Sequence, residues 1–425
     1  MNLIDVFLLL GFVETAILFL YAIRLYMFTL VSLRTRFSGH VDEKDCDLSS
    51  SFVSVLLPIY NEPNVVDRLL KACTSFHSPP YEVIVIDDSD DDLTTKKLEA
   101  WRDRSNVKIV HRDSRDGWKG GALNEGLRHL DAKSRYVMVF DADFIPPPDI
   151  LDNFLVKFTD SKIAGVQGYQ RHDLNADENW ITKGIRVCLS LSNMVELNGR
   201  SKLGLLLPLT GSVYMMRTDM SRNLRYEKDI TEDWNLSLRL YEKGYKIIYD
   251  PTLVSSGECP NTLKRLFRQQ ARWAEGHTRN FRTHVWKILK CKSLSLREKM
   301  DFLFVGFSFL NSVLILALTF SWLVNVLFPG YALPPPYAQV SVFMLLFTMP
   351  AVILASVAAL LIEGRKEDIK KIPYVWILNF IETPVVAYAA LKGLFTKKGY
   401  FHRTYKTGKL TGKNLGEVRK WLTKS

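Results

Sequence analysis

Two carboxylates emerge together at the end of an apolar run. Asp141 and Asp143 flank Ala142 directly after the run Tyr136–Phe140, whose aromatic and β-branched residues predict a strand. Hard oxygen ligands of this kind suit Mg²⁺ or Mn²⁺, and such a cation can neutralise a diphosphate. A solvated turn is the alternative, because aspartate is common in turns. The triplet therefore makes Asp141 and Asp143 candidate metal ligands.

A second acidic run extends from Asp87 to Asp92 and also follows a predicted strand. It would be costly to bring all of these charges together without a cation, so we expect part of the run to be an exposed loop. Asp87 and Asp88 are the pair expected to face a nucleoside or the metal.

Lys119 lies in a glycine-containing segment, residues 116–124, just before a predicted helix. Glycines permit close backbone approach, and the start of a helix can hold a phosphate. An ordinary surface turn is the alternative.

The triplet Thr231-Glu232-Asp233 opens an amphipathic run, so its carboxylates are expected near a helix N-terminus. They could simply favour the helix dipole. A carboxylate in a cleft could instead accept a proton from an attacking hydroxyl group, as general base catalysis requires.

Gln269, Arg272 and Trp273 lie close together just before basic and apolar segments. Indole rings stack on sugars, and guanidinium groups stabilise phosphate charge. The surrounding stretch Leu263–Lys287 also resembles an amphipathic helix at a membrane interface, and both interpretations can hold together.

Apolar runs rich in β-branched residues alternate with helical patterns and predict an α/β fold with a mainly parallel sheet. Each run ends in polar residues, which include Tyr60 and Glu62 after the first. Because ligands bind beyond the carboxyl ends of strands in such sheets, we expect these ends to form one crevice. The clearest runs are 52–58, 82–87, 107–110 and 136–140.

Neither a G-x-G-x-x-G fingerprint nor a Walker P-loop is present, which argues against a dehydrogenase and a P-loop ATPase.

Three apolar segments are long enough to cross a bilayer, which takes about 20 residues. They are Leu3–Leu33, Phe302–Phe328 and Ala338–Leu361, and a proline-rich link predicts that the last two form a hairpin. Tyr374–Phe395 is ambiguous because it contains Glu382 and a proline. It either spans with a kink or lies along the interface.

Basic residues flank the apolar segments and predict, by the positive-inside rule, that the large middle segment is cytosolic. We expect a transmembrane helix (1–34), a cytosolic domain with interfacial helices at its C-terminal end (50–285), a membrane region (300–396) and a basic cytosolic tail (397–425). An interfacial segment at 374–395 would keep this tail in the cytosol. The expected location is the cell membrane, with several membrane passes.

The net charge of +11 could suggest nucleic-acid binding, but much of the excess lies beside membrane segments, where anionic lipid head groups would meet it. The five cysteines are widely spaced and form no C-x-x-C pair. Neither a disulfide framework nor a zinc site is indicated, and a reducing compartment fits.

The order of the motifs resembles that of the family 2 glycosyltransferases, specifically the cellulose synthase-like branch with D, D-x-D, T-E-D and Q-x-x-R-W elements. The resemblance covers about residues 53–279 and reaches into the tail. It implies a Rossmann-like, nucleotide-sugar-binding domain of the GT-A type with flanking transmembrane helices.

The resemblance also implies residue roles. Asp88, with Asp87, would contact the uridine part of the donor, and Asp233 would be the general base. Asp141 and Asp143 would contact the diphosphate and the metal. The other implied residues are Tyr60, Glu62 and Lys119 at the donor, and Glu232, Gln269, Arg272 and Trp273 at the acceptor sugar and the leaving diphosphate.

Residues 401–406 resemble the F-x-V-T-x-K gating loop of cellulose synthases, which closes over the nucleotide. Phe401, Thr404 and Lys406 match this pattern, whereas Arg403 replaces the usual valine. Hyaluronan synthases carry G-D-D at the position of Thr231-Glu232-Asp233. This difference argues against hyaluronan as the product.

The resemblance implies an inverting transferase with Mg²⁺ or Mn²⁺ that extends a β-linked polysaccharide from a nucleotide-sugar. A UDP-sugar is the first expectation for the donor and GDP-mannose the second. Transfer of one sugar to a membrane lipid, such as a glycolipid or a polyprenyl or dolichyl phosphate, is the alternative. A catalytically silent binding subunit would lack the base or the D-x-D pair, and both are present. Expected partners are the donor, a glycan or lipid acceptor, membrane lipids and either a second copy or an accessory export subunit, but no nucleic acid.

Overall fold

A single seven-stranded sheet forms the centre of the domain that follows the first helix. The computed structural model describes residues 3–34, 51–327, 335–401 and 403–411. The strands are β1 (Phe52–Ile59), β2 (Tyr81–Asp87), β3 (Val107–His111), β4 (Ser134–Val139), β5 (Ile163–Arg171), β6 (Tyr214–Arg217) and β7 (Lys246–Ser256).

The strand order is β3-β2-β1-β4-β6-β5-β7. β1 pairs in parallel with β2 and β4, β2 with β3, and β5 with β7. β6 is antiparallel to both β4 and β5. The predicted α/β fold with a mainly parallel sheet is confirmed, and β6 adds one antiparallel strand.

Fourteen α-helices lie in the described part of the chain. They are α1 (Leu3–Arg34), α2 (Val66–Cys73), α3 (Asp92–Glu99), α4 (Trp118–Arg128), α5 (Ile150–Leu155), α6 (Trp180–Leu191), α7 (Asn198–Lys202), α8 (Thr218–Leu224), α9 (Glu232–Glu242), α10 (Leu263–Lys290), α11 (Leu296–Phe307), α12 (Asn311–Leu327), α13 (Pro335–Ile362) and α14 (Ile372–Phe395). A π-helical turn, Ser192–Leu197, joins α6 to α7, and short 3₁₀ turns precede α12 and α14.

Two hydrophobic cores cover the two faces of the sheet. Val55 of β1 belongs to the core that contains α2 and α5, whereas its neighbour Leu56 belongs to the core that contains α4, α9 and α10. Side chains of a strand alternate between faces, so a strand covered on both sides must be apolar throughout. This requirement explains the almost unbroken apolar sequence of β1 and β2.

Four of the described helical segments are long and apolar enough to cross a membrane. They are Gly11–Arg34, Leu296–Ser321, Gln339–Ile362 and Lys366–Phe395. Pro335 and Pro336 of the predicted proline-rich link begin α13, whereas residues 328–334 and residues 412–425 of the predicted basic tail lie outside the described residues.

An ionic cluster connects the first helix to the domain. Asp301 of α11 accepts hydrogen bonds from Arg24 of α1 at 2.7 Å and from Arg200 of α7 at 3.0 Å. All three groups are largely buried, and removal of one partner from a buried ion pair typically costs about 3–5 kcal/mol. The cluster therefore fixes α1 relative to the sheet.

Candidate active site

The polar ends of the strands meet in one cavity of about 180 Å³. Its wall contains every residue that the sequence analysis assigned to the site, except Asp87. Tyr60 follows β1, Asp141 and Asp143 follow β4, and Glu232 and Asp233 open α9. The crevice at the carboxyl edge of the sheet brings these segments together because parallel strands end on the same edge.

Asp87 and Asp88 have different environments. Asp87 is buried, and its carboxylate accepts hydrogen bonds from the backbone N–H of Ser89 and the ring of His111, both at 3.0 Å. Asp88 faces the cavity and binds the fork of Arg112 at 2.6 and 3.0 Å. Burial raises the pKa of Asp88 despite this guanidinium. Asp87 therefore organises the end of β2, and Asp88 is the carboxylate available to a ligand.

Tyr60 lies close to two guanidinium groups that the sequence analysis did not assign. The guanidinium carbon of Arg115 is 3.2 Å from the centre of the Tyr60 ring, and that of Arg403 is 5.8 Å away. Arg403 also pairs with Glu62 at 3.0 Å. These cations hold the ring in place by cation–π attraction and add positive charge to the cavity wall.

Lys119 is surrounded by carboxylates and lies in the first turn of α4, which begins at Trp118. Its Nζ atom is 2.5 Å from Asp141 Oδ1 and 3.6 Å from Glu232 Oε1. Burial alone would lower the pKa of Lys119, but these carboxylates outweigh it and raise the pKa. The next residue, Gly120, lets α4 pack closely against the backbone of Glu227, because a Cβ atom at Gly120 would lie 2.8 Å from the Glu227 carbonyl oxygen.

Asp233 has an electrostatic environment suited to accepting a proton. Burial, with the adjacent charge of Glu232, raises the pKa of Asp233 to about 7, although Lys119 and Arg272 oppose the shift. Gly211, with a φ of +88°, passes beside it, and a Cβ atom there would be 3.2 Å from Asp233 Oδ2. A carboxylate with a pKa near the working pH is well matched to general base catalysis.

Gln269, Arg272 and Trp273 line the same cavity from α10, where residues three and four apart share one face. Arg272 donates a hydrogen bond to the carbonyl oxygen of Ile230 at 3.2 Å. Its guanidinium carbon is 4.7 Å from the centre of the Phe401 ring. Arg272 is thus held near the carboxylates of α9, where it can balance negative charge.

The two D-x-D carboxylates have separate cationic partners. Asp143 Oδ2 is 2.7 Å from Lys406 Nζ, whereas Asp141 pairs with Lys119. Burial would raise the pKa of Asp143, but Lys406 outweighs burial and lowers the pKa. No group of three or more His, Cys, Asp or Glu side chains with metal-binding geometry occurs among the described residues. Two carboxylates suffice for Mg²⁺ or Mn²⁺ when substrate phosphates complete the coordination.

The chain returns to the cavity after α14. We call residues 401 and 403–411 the tail strap; His402 lies outside the described residues. Phe401, Thr404 and Lys406 all line the cavity. The Phe401 ring stacks near Trp118, with 6.2 Å between ring centres and an angle of 22°.

A second cavity, of about 660 Å³, adjoins the first. The two cavities share wall residues that include Asp233, Trp273 and His172. The second cavity extends to α1, to the π-helical turn and to the 3₁₀ turn before α12. Its polar and aromatic lining includes Tyr21, Arg24, Asn193, Glu196, Arg200, His277, Asn311 and Asn379.

Several cavity residues have no counterpart in the sequence analysis. Gln170 and His172 come from the end of β5, which was not among the clearest predicted strands. Arg115 lines the cavity from the loop after β3. Glu258, which follows β7, was also missed but lies outside the cavity wall. A polar residue after each strand is the signal that could have identified His172 and Glu258, had β5 and β7 been recognised.

Residues 54–224 match the model of the family described as "Glycosyl transferase family 2". The chain is 30% identical over 356 residues to glucomannan 4-beta-mannosyltransferase 7 of Arabidopsis thaliana, a match that covers 79% of this chain and 61% of that protein. It is 32% identical over 299 residues to the probable glucomannan 4-beta-mannosyltransferase 11 of Oryza sativa subsp. japonica, covering 66% of this chain and 52% of that protein. The chain thus spans between half and two thirds of the length of these curated relatives.

The fold also matches a solved structure. The mannosyltransferase PcManGT from Pyrobaculum calidifontis, solved in complex with GDP-mannose and Mn²⁺, aligns with a TM-score of 0.63 at 19% identity and covers 93% of this chain and 100% of that one. The GT-A fold implied by the order of the motifs is confirmed. The protein carries a family 2 glycosyltransferase domain of the cellulose synthase-like branch.

Proposed function

We propose that this protein is an inverting hexosyltransferase that extends a β-linked polysaccharide from a nucleotide-sugar. The position of Asp233 carries the proposal, because this carboxylate lies in the wall shared by the two cavities. The smaller cavity, with Asp88 and the cationic groups, suits the donor, and the larger one suits the acceptor. A base at their junction is placed to act on the attacking group.

The mechanism follows from this arrangement. Asp233 removes the proton of an acceptor hydroxyl group while its oxygen attacks the anomeric carbon. The bond between that carbon and the diphosphate breaks in the same displacement, so the configuration inverts and a nucleoside diphosphate leaves. Arg272 and Lys119 lie where they can balance the charge that develops on the diphosphate.

We propose that Asp141 and Asp143 hold Mg²⁺ or Mn²⁺ together with the donor's phosphates. A divalent cation bound there would neutralise the diphosphate. Exhaustive chelation is therefore expected to abolish transfer, and added Mn²⁺ or Mg²⁺ should restore it. Full turnover in the chelated enzyme would exclude the metal.

The relatives that match this chain are named for 4-β-mannosyl transfer. Their names favour GDP-mannose as the first donor to test, ahead of the UDP-sugars. The decisive experiment is an assay on purified membranes with a panel of radiolabelled nucleotide-sugars, followed by sizing of the product and cleavage with linkage-specific glycosidases. Transfer to a chloroform-soluble product alone would favour the lipid acceptor instead.

The lining of the larger cavity favours a glycan acceptor. Glu196, Asn311 and Asn379 offer hydrogen bonds suited to sugar hydroxyl groups, and Trp273 offers an indole surface for a sugar ring. A polyprenyl or acyl chain would displace water from these polar groups without offering hydrogen bonds in return, at a cost in binding free energy.

We propose that α14 lies along the membrane surface. Lys371, just before α14, pairs with Asp177 at 2.7 Å, and Lys392 near its end pairs with Glu275 at 2.9 Å. Both ends of the helix therefore contact the catalytic domain, while its outer face exposes Phe380. The strap reaches Asp143 and so lies on the same side of the membrane as the catalytic domain. The chain must therefore cross the membrane an even number of times between α10 and the strap, and the hairpin of α12 and α13 supplies two crossings.

This arrangement predicts that the strap and the catalytic domain share the cytosolic side. A single cysteine at Lys409, in a variant without native cysteines, should resist an impermeant maleimide in sealed right-side-out vesicles until lysis. A single cysteine at Gly330, in the link between α12 and α13, should react before lysis. Labelling of both positions in intact vesicles would exclude the arrangement.

The raised pKa of Asp233 predicts a pH dependence of turnover. Protonated Asp233 cannot accept the proton of the acceptor, so kcat/KM should rise with pH and level off above about 7. Initial rates at limiting donor, measured from about pH 5 to about pH 9, provide the test. A rate that is constant across this range would remove Asp233 as the base.

A further inference from the structure

Glu258 is a buried carboxylate that belongs to none of the sequence motifs. It lies just after β7, and only 1% of the residue is exposed. Its side chain accepts hydrogen bonds from the backbone N–H of Thr407 at 2.8 Å and of Gly408 at 3.0 Å. A buried carboxylate needs donors that replace its lost hydration, and here two of them belong to the tail strap.

Arg68 of α2 completes this contact. It pairs with Glu258 at 2.5 Å and also donates to the backbone carbonyl groups of Gly408 and Asp143, both at 3.3 Å. One guanidinium group therefore connects the anchored part of the strap to the D-x-D segment. Five N–H donors in a fixed fork make arginine suited to such a junction.

Glu258 and the strap also meet at one oxygen atom. The backbone N–H of Glu258 donates to Asp143 Oδ2 at 3.0 Å, and Lys406 Nζ lies 2.7 Å from the same atom. Lys406 immediately precedes the two residues that the Glu258 side chain binds. The anchor thus determines how closely the Lys406 ammonium group approaches Asp143.

We propose that Glu258 is a positioning residue, which anchors the base of the tail strap so that Lys406 lies at the donor site. This inference rests on the proposed function, because the donor's diphosphate is the anion that Lys406 would meet. Glu258 itself does not touch the donor. Its contribution is to order the strap before the donor arrives, which lowers the entropic cost of binding.

The contact between Glu258 and the strap can also be disrupted by a substitution in the strap itself, at Gly408. Its φ is +74°, and a Cβ atom at this position would lie 2.6 Å from the carbonyl oxygen of Asn64. Gly408→Ala should therefore displace the strap without changing a buried carboxylate. Glu258→Gln tests the other partner, because the neutral amide weakens the bonds from Arg68 and the two N–H groups.

The experiment compares these variants of the full chain by hydrogen exchange without donor and by steady-state kinetics. In Glu258→Gln and Gly408→Ala we expect strap amides to exchange about tenfold faster, donor KM to rise about tenfold and kcat to stay within about twofold. Glu258→Asp, which keeps the charge, should give an intermediate KM. The control is Lys409→Gln, because this side chain is 65% exposed, pairs with Glu178 and lies outside the cavity.

Unchanged strap exchange in Glu258→Gln would overturn the inference, and so would faster exchange with an unchanged or lower donor KM. If Glu258→Gln does not fold, Gly408→Ala carries the test. Hydrogen exchange requires no turnover, so failure of the anchor can be distinguished from failure of the proposed function. If the proposed function is wrong, the wild-type protein will transfer no sugar from any donor.

Discussion

Asp233→Asn is expected to lower kcat by about 10²- to 10⁴-fold, the usual range for loss of a general base. Asparagine has nearly the same shape as aspartate but cannot accept the acceptor's proton. The hydrogen bond from the Trp234 backbone N–H to Asp233 Oδ1, at 2.8 Å, can be kept by the amide oxygen, so we expect the fold to persist. The measurement is kcat at saturating donor, alongside nucleotide affinity by calorimetry.

The matched control for this variant is Asp219→Asn, the same change on an exposed residue of α8. Nucleotide affinity should remain within about threefold of wild type in both variants, because the lost step is proton transfer and binding is retained. Near-normal turnover of Asp233→Asn would exclude this residue as the base.

Arg272→Gln is expected to lower kcat by about 10²- to 10³-fold, as is typical when one group that stabilises developing charge is removed. Arg272 lowers the pKa of Asp233, so its loss should also move the acidic limb of the pH–rate profile to higher pH. A purely structural defect would not cause this shift. Kinetics across the pH range measures both effects.

Arg268→Gln provides the control, because Arg268 lies one turn earlier on α10, is exposed and is not part of the cavity wall. It should retain wild-type turnover. An Arg272→Gln variant with full activity, or with lower activity but an unshifted profile, would contradict the assigned role.

The sheet shows where sequence patterns are sufficient. β1, β2, β3 and β4 begin and end within about two residues of their predicted bounds, since each is a short, apolar, β-branched run. β5 carries two glycines and two glutamines, which have weak strand preference. It is a strand because pairing with β6 and β7 imposes that conformation, and tertiary context outweighs local preference in sheets.

The acidic run after β2 shows where a pattern is insufficient. Asp87 and Asp88 are neighbours with the same chemistry, and the sequence offers no way to choose between them. Adjacent side chains leave the strand end in opposite directions. The structure pairs Asp87 with His111 and turns Asp88 toward the cavity.

The sequence by itself determined the α/β fold and the order of the motifs, because both depend on short-range features: apolar runs, the polar residues that end them, and spacing along one helix. Only the tertiary structure decided which cation neutralises each carboxylate. Lys406 meets Asp143 across 263 residues, and Glu258 meets Thr407 across 149. Contacts over such separations depend on how the whole chain packs, and no local pattern in either segment records them.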